Sequence, residues 1–256
     1  MVQTVQSADG TKIAYEQAGS GAPLIVVGGA LNNRQSAAPL VPLLAGAFAV
    51  MTYDRRGRGE STDTPPYAVE REIEDLRALA DAAGGPVHVY GHSSGAILSL
   101  EAAAAGVPVG KIAAYEPPYF TGGGTDERWQ DFADKVRALA EGGRGDRAVE
   151  EFIRHTGADF DPGMTKTPWW PALVALAPTL PYDLTLTADA VVPADRFSGI
   201  SAPVLAICGG ASPAWAGASA AAVASSVRDG RQHIIDDQDH GVAPEALAPV
   251  LLDFFR

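Results

Sequence analysis

Consecutive apolar residues, rather than alternating ones, mark the first half of the chain. Pro23-Leu24-Ile25-Val26-Val27 ends in Gly28-Gly29, and residues 48–53 form a second such run ending at Asp54. Runs of this length predict strands covered on both faces. Ahead of them, residues 4–7 and 11–16 flank Asp9-Gly10, a hairpin turn signal. The period then changes: Ile73, Leu76, Ala80 and Ala83 fall on one helical face, and Gly84-Gly85 closes that helix. A strand over 87–90, a helix over 94–105 and strands over 111–115, 204–208 and 233–235 follow, with a helix over 244–255 finishing the chain. Strands alternating with helices predict an α/β fold, a mostly parallel central sheet with helices on both faces.

One stretch breaks this rhythm. Residues 117–201 hold two predicted helices, 126–140 and 147–155, and then Pro168-Trp169-Trp170-Pro171. This stretch reads as a helical cap or lid inserted over one end of the sheet, with residues 1–116 and 202–256 forming the core. No internal repeat is visible.

Composition narrows the functional classes. A length of 256 residues with 46% apolar and 20% charged positions suits one soluble domain with a sizeable core. The net charge of −12 excludes nucleic-acid phosphates as natural partners and gives no basic cluster for an anionic membrane. No basic-then-apolar leader opens the sequence and no apolar run approaches membrane-spanning length, so a cytoplasmic protein is expected. The single cysteine, Cys208, excludes an internal disulfide and a multi-cysteine metal site. No dinucleotide, Walker or His-Glu-x-x-His motif is present, so neither cofactor nor metal is expected.

The chemistry concentrates at Gly91-His92-Ser93-Ser94-Gly95, a Gly-x-Ser-x-Gly motif directly between a predicted strand and a predicted helix. That context predicts a strained corner that lifts the Ser93 hydroxyl above the sheet, with backbone N–H groups beside it. With the Asp9-Gly10 hairpin, the Gly28-Gly29 strand end, Asp54-Arg55-Arg56-Gly57-Arg58-Gly59-Glu60-Ser61 and a C-terminal His before Pro-Glu, the chain resembles the α/β-hydrolase superfamily over nearly its whole length. The resemblance implies Ser93 as nucleophile and His240, in the loop after the last strand, as base. It implies an oxyanion hole from the Ala30 and Ser94 amides, and a loop at 54–61 that is structural, its charges paired locally. His88 and His233, inside strands, read as structural; His155, in the insertion, reads as a surface residue.

The acid departs from the family's pattern. Relatives commonly carry Asp in the loop after the strand that follows the insertion, and here Ser212 stands at that place. Glu116, at the end of the 111–115 strand, occupies the position from which haloalkane dehalogenases and certain lipases take their acid. A role as a turn cap before Pro117-Pro118, a carboxylate from Asp237 or Asp239, and a Ser–His dyad stay open as alternatives. Leu31, Phe120, Trp129, Trp169, Trp170 and Tyr182 are the candidates for the substrate pocket. The expected activity is cofactor-free hydrolysis of an ester or lactone of a small to medium apolar substrate. C–C hydrolysis, perholysis or cyclisation on the same site, and a non-catalytic ligand receptor, are the alternatives. The partner is a small-molecule substrate; the sequence leaves the oligomeric state open.

Overall fold

The computed structural model describes residues 1–120, 127–156, 160–187 and 190–256. Their frame is an eight-stranded sheet built from β1 (Gln3–Gln6), β2 (Lys12–Ala18), β3 (Ala22–Val27), β4 (Phe48–Tyr53), β5 (Val87–His92), β6 (Val109–Tyr115), β7 (Val204–Gly209) and β8 (Gly230–Ile235). The strand order is β1-β2-β4-β3-β5-β6-β7-β8. β1 and β2 form the hairpin and β2 runs antiparallel to β4; from β4 to β8 all neighbours are parallel.

Why the strands carry unbroken apolar runs is visible in β3. Leu24 and Val26 point into one core cluster with Tyr90, Leu247 and Leu251, whereas Ile25 and Val27 point into another with Val89, Ile97 and Leu100. Successive side chains face opposite sides, so helices on both faces demand apolar residues at every position. The helices are α1 (Val41–Leu44), α2 (Val69–Ala82), α3 (Ser94–Ala104), α4 (Glu127–Glu141), α5 (Gly145–His155), α6 (Trp170–Val174), α7 (Leu180–Thr187), α8 (Ala194–Phe197), α9 (Ala214–Ser226) and α10 (Pro244–Phe255). The expected elements are present, most with ends shifted by one to three residues; Asp126, the expected start of the first inserted helix, lies outside the described residues. No helix among the described residues is long and apolar enough to cross a membrane.

Helices α4 to α8 lie between β6 and β7. Phe132, Val136, Val149, Trp170, Leu180 and Leu184 make a third apolar cluster within this stretch, while Leu186, Phe197 and Ile200 join the core of the sheet. The inserted stretch therefore has its own small core and a buried root in the main one.

Parallel pairing aligns the strand ends: Val27 is level with Gly91, His92 with Tyr115, and Tyr115 with Ile207. The loops after β3, β5, β6 and β7 consequently leave the same edge of the sheet, the usual place for ligand chemistry in an α/β sheet.

Candidate active site

At the end of β5, Ser93 has φ 57° and ψ −126°, and it precedes the first residue of α3. Sequence makes this corner possible through its glycines. A Cβ at Gly91 would sit 2.5 Å from Gly95 O and 2.5 Å from Ser99 Oγ, and one at Gly95 would collide with the carbonyl oxygens of Val27 and Gly28. The corner is pinned by Ser93 N–H, which donates to Tyr115 O at 2.8 Å.

Backbone strain gathers here. Leu31, Ser93 and Glu116, just past β3, β5 and β6, all have positive φ, as does Asp237 in the loop leading to His240. For non-glycine residues this conformation costs on the order of 1–3 kcal/mol each and persists only where the surroundings fix it. Three of the five such residues among those described follow β3, β5 and β6 at one edge of the sheet, and a fourth precedes His240 in its loop.

Glu116 is fully buried, and both of its oxygens are engaged. Oε2 lies 2.7 Å from His240 Nδ1. Oε1 accepts from Gly209 N–H at 2.8 Å and from Ser212 Oγ at 2.5 Å. Burial pushes the carboxyl upward, but the hydrogen bonds from His240, Ser212 and Gly209 outweigh it and hold the group below the usual range. Glu116 is thus a carboxylate aimed at the imidazole. Ser212, where the resemblance placed the usual acid, donates instead to the Glu116 carboxylate. Asp239 turns instead to Gly241 N–H, at 2.8 Å.

The His240 loop is held from beneath. His92 Nε2 lies 2.8 Å from His240 O, and Tyr115 Oη donates to Asp239 O at 2.5 Å; the His92 and Tyr115 rings stack at 5.5 Å. Burial, together with the neighbouring His240, lowers the His92 pKa to about 4. His92 is therefore neutral near pH 7, with a proton on Nε2 to donate to the carbonyl.

Ser93, Ser94, Ala30 and His240 line one cavity of about 250 Å³. One side-chain hydrogen bond joins Glu116 to His240; Ser93 and His240 are brought together by facing this shared cavity. Among the described residues, no three His, Cys, Asp or Glu side chains converge as a metal site.

Of the expected pocket residues, Phe120 and Trp129 line the cavity. Leu31, Trp169, Trp170 and Tyr182 do not. Leu31 packs against the cluster of the inserted helices, and Trp170 is buried within it beside Phe160. Trp169 is 48% exposed. Tyr182 stacks on Tyr67 at 4.1 Å and donates to Asp63. In their place the cavity takes Pro118, Phe132, Phe152, Leu184 and Trp215, and also His155, which stacks on Phe132 at 3.6 Å. His155 is exposed to solvent, as expected, and also lines the cavity. His233 lies exposed on β8, and His88 stacks on Phe255, its Nδ1 without a hydrogen-bond partner among the described residues.

The charges of the 54–61 loop pair less locally than expected. Arg56 pairs with Asp75 and Asp9, 19 and 47 positions away, and Arg55 and Arg58 reach across to Asp183 on α7. Arg55 Nη1 and Arg58 Nη2 each donate to Asp183 at 2.7 Å, Ser94 Oγ donates to the same carboxylate at 2.7 Å, and Glu72 takes the other side of Arg55. Arg58 Nη1 also donates to Gly29 O at 2.6 Å and to Asn32 O at 3.1 Å. One balanced buried cluster of two arginines and two carboxylates therefore touches the segment either side of Ala30, through Gly29 O and Asn32 O, and the Ser94 side chain. Burial pushes the Asp183 carboxyl up, and Arg58 and Arg55 override it and keep it ionised. No short motif announces this cluster, whose members are 125 and 128 residues apart.

Comparison with known proteins agrees with this architecture. A crystal structure of an alpha/beta hydrolase from Sphaerobacter thermophilus DSM 20745 is 48% identical, with a TM-score of 0.90 over 99% of this chain and 100% of that one. Among curated proteins, the uncharacterized hydrolase YraK of Bacillus subtilis (strain 168) is 34% identical over 96 residues, 36% of this chain and 35% of YraK. Proline iminopeptidase PfmaB of Pestalotiopsis fici is 30% identical over 108 residues, 40% of this chain and 38% of PfmaB. The chain thus spans little more than a third of the length of these curated relatives. The model of the alpha/beta hydrolase family matches residues 24–250, and the chain belongs to that family.

Proposed function

We propose that this chain is a serine hydrolase that cleaves a carboxylic ester or lactone with its own side chains alone. The observation that carries the reading is the 2.7 Å contact of buried Glu116 with His240 Nδ1, at a cavity that Ser93 faces from a strained corner. Held by Glu116, His240 keeps its proton on Nδ1 and presents Nε2 as a base. Ser93 Oγ attacks the carbonyl carbon as its proton passes to Nε2, and the negative charge on the carbonyl oxygen is met by the Ala30 and Ser94 amides. The imidazolium then protonates the leaving oxygen, which departs as the alcohol. Water repeats the sequence on the acyl-serine and releases the acid. Residues 117–201 act as the cap that closes the cavity.

The Glu116 carboxylate beside His240 supports this reading over a receptor, whose ground was the missing carboxylate at Ser212. Replacing Ser93 with Ala and following p-nitrophenyl ester turnover tests the reading. The expected loss is on the order of 10⁴- to 10⁶-fold with the fold intact. Turnover retained in a clean Ser93→Ala preparation would rule out the serine mechanism.

A further inference from the structure

The cavity has a direction. From His240 a row of rings leads away: Trp215 at 6.4 Å, Phe120 5.6 Å from Trp215, Trp129 5.6 Å from Phe120, and His155 5.7 Å from Trp129. Phe132 backs the far end, with His155 lying flat on it. A wall of successive rings offers edge and face contacts that a flat ring satisfies better than an alkyl group of the same size.

The chemistry of the lining narrows the ligand further. No Lys or Arg is among the lining residues described, and the one lining carboxylate, Asp183, is occupied by Arg55, Arg58 and Ser94. With the whole chain at −12, an anionic substrate would meet no counter-charge. His155, which the catalytic machinery does not use, has one ring face covered by Phe132; that partial desolvation outweighs the nearby Glu151 and holds it below its ordinary pKa, so near pH 7 it is a neutral hydrogen-bonding ring. Orientation follows from the reaction. The leaving oxygen must lie within reach of His240, which protonates it, and the row of rings begins beside His240.

On the serine-hydrolase reading above, we infer that the substrate is an ester of a neutral arylalkyl alcohol. Its ring lies along Trp215, Phe120 and Trp129, and a polar substituent at the far end hydrogen-bonds to His155. His155 is then a specificity-determining residue of the cavity.

Three acetates that share an acyl group isolate the alcohol side: 2-phenylethyl, 2-cyclohexylethyl and 2-(4-hydroxyphenyl)ethyl acetate. The quantity to compare is kcat/KM, which reports acylation. The expected result is a preference for phenyl over cyclohexyl of about fivefold or more, and a further severalfold gain for the hydroxyphenyl ester. His155→Phe should erase the hydroxyl gain and keep the aryl preference. Trp129→Leu should bring phenyl and cyclohexyl together, with Trp215→Leu as the second variant should the first fail to fold by circular dichroism. Labelling with a fluorophosphonate separates the two levels of the argument. A labelled Ser93 with no turnover of the aryl esters, with equal turnover of phenyl and cyclohexyl, or with a hydroxyl gain that survives His155→Phe overturns the substrate class alone. An unlabelled Ser93 with no turnover of any acetate overturns the hydrolase reading and this inference together.

Discussion

Asp183→Asn is the substitution whose effect follows most fully from the geometry. The carboxylate is 3% exposed and binds Arg55, Arg58 and Ser94 Oγ, each at 2.7 Å. Asparagine keeps the shape and one acceptor oxygen but removes the charge, leaving Arg55 and Arg58 side by side with Glu72 as their remaining buried counter-charge. Breaking a buried ion pair at one partner costs about 3–5 kcal/mol, and the retained acceptor puts this case near 3 kcal/mol. An exposed pair gives the comparison. Glu150, bound by Arg147 and Arg154 on the surface of α5, should cost under about 1 kcal/mol as Glu150→Gln. Urea unfolding measures both, as a lower midpoint at unchanged slope. The second readout is kinetic. Arg58 holds Gly29 O and Asn32 O, while Asp183 holds Ser94. Losing one oxyanion donor altogether costs about 10²- to 10³-fold in kcat, so on the proposed mechanism, with the Ala30 and Ser94 amides as donors, loosening both should cost roughly tenfold or more, measured where the variant is still folded. Asp183→Asn with the urea midpoint of wild type and full kcat would refute the reasoning. A lower midpoint with unchanged kcat would reduce the cluster to scaffolding.

Three further outcomes are expected. Glu116→Gln should lower kcat by about 10⁴-fold, because the amide can stabilise the wrong tautomer of His240 and lacks charge for the imidazolium; Ser212→Ala, which removes one of two donors to Oε1, should cost about tenfold, and equal kcat in Ser212→Ala and wild type would contradict its part in holding the acid. His92, with a folded pKa of about 4 against an ordinary value of 6.5, contributes stability that is present above pH 6.5 and lost as pH falls toward 4; the linkage amounts to about 3 kcal/mol, and His92→Gln should flatten that part of the urea-midpoint profile. Trp170→Ala should cost about 3–5 kcal/mol and leave ester selectivity unchanged, since the ring is 6% exposed inside the cluster of the inserted helices; a selectivity change at wild-type stability would return Trp170 to the cavity.

The sheet and its corner were legible in the sequence because their signals are local. Unbroken apolar runs ending in Gly28-Gly29 or Gly91 report burial on both faces and a tight exit, and both survive without knowledge of the partners. Glu116 was legible through an absence, since Ser212 vacated a place and few carboxylates end a neighbouring strand. The contact of Ser212 itself was not legible, because a hydroxyl at that place shows its use only when the second carboxylate oxygen of Glu116 is seen 2.5 Å away. The ring pair at 169–170 drew attention by its proline frame, yet which ring faces a cavity depends on how short helices dock, a tertiary outcome. Trp215 escaped notice for a different reason. Its helix, α9, reads Ala-Trp-Ala-Gly-Ala-Ser-Ala-Ala-Ala-Val-Ala-Ser-Ser, too uniform to show a face. The Arg55–Asp183–Arg58 cluster joins residues more than a hundred positions apart, and nothing in either segment encodes the other.

The central claim is that Ser93 is a nucleophile activated by His240 and Glu116. Its most direct test is incubation of the intact chain with a fluorophosphonate, followed by mass mapping of the adduct and repeated on Glu116→Gln. The account predicts a single adduct on Ser93 in the wild-type chain, formed orders of magnitude more slowly in Glu116→Gln. An adduct on another residue, or none, or labelling at equal rates in both chains, would contradict it.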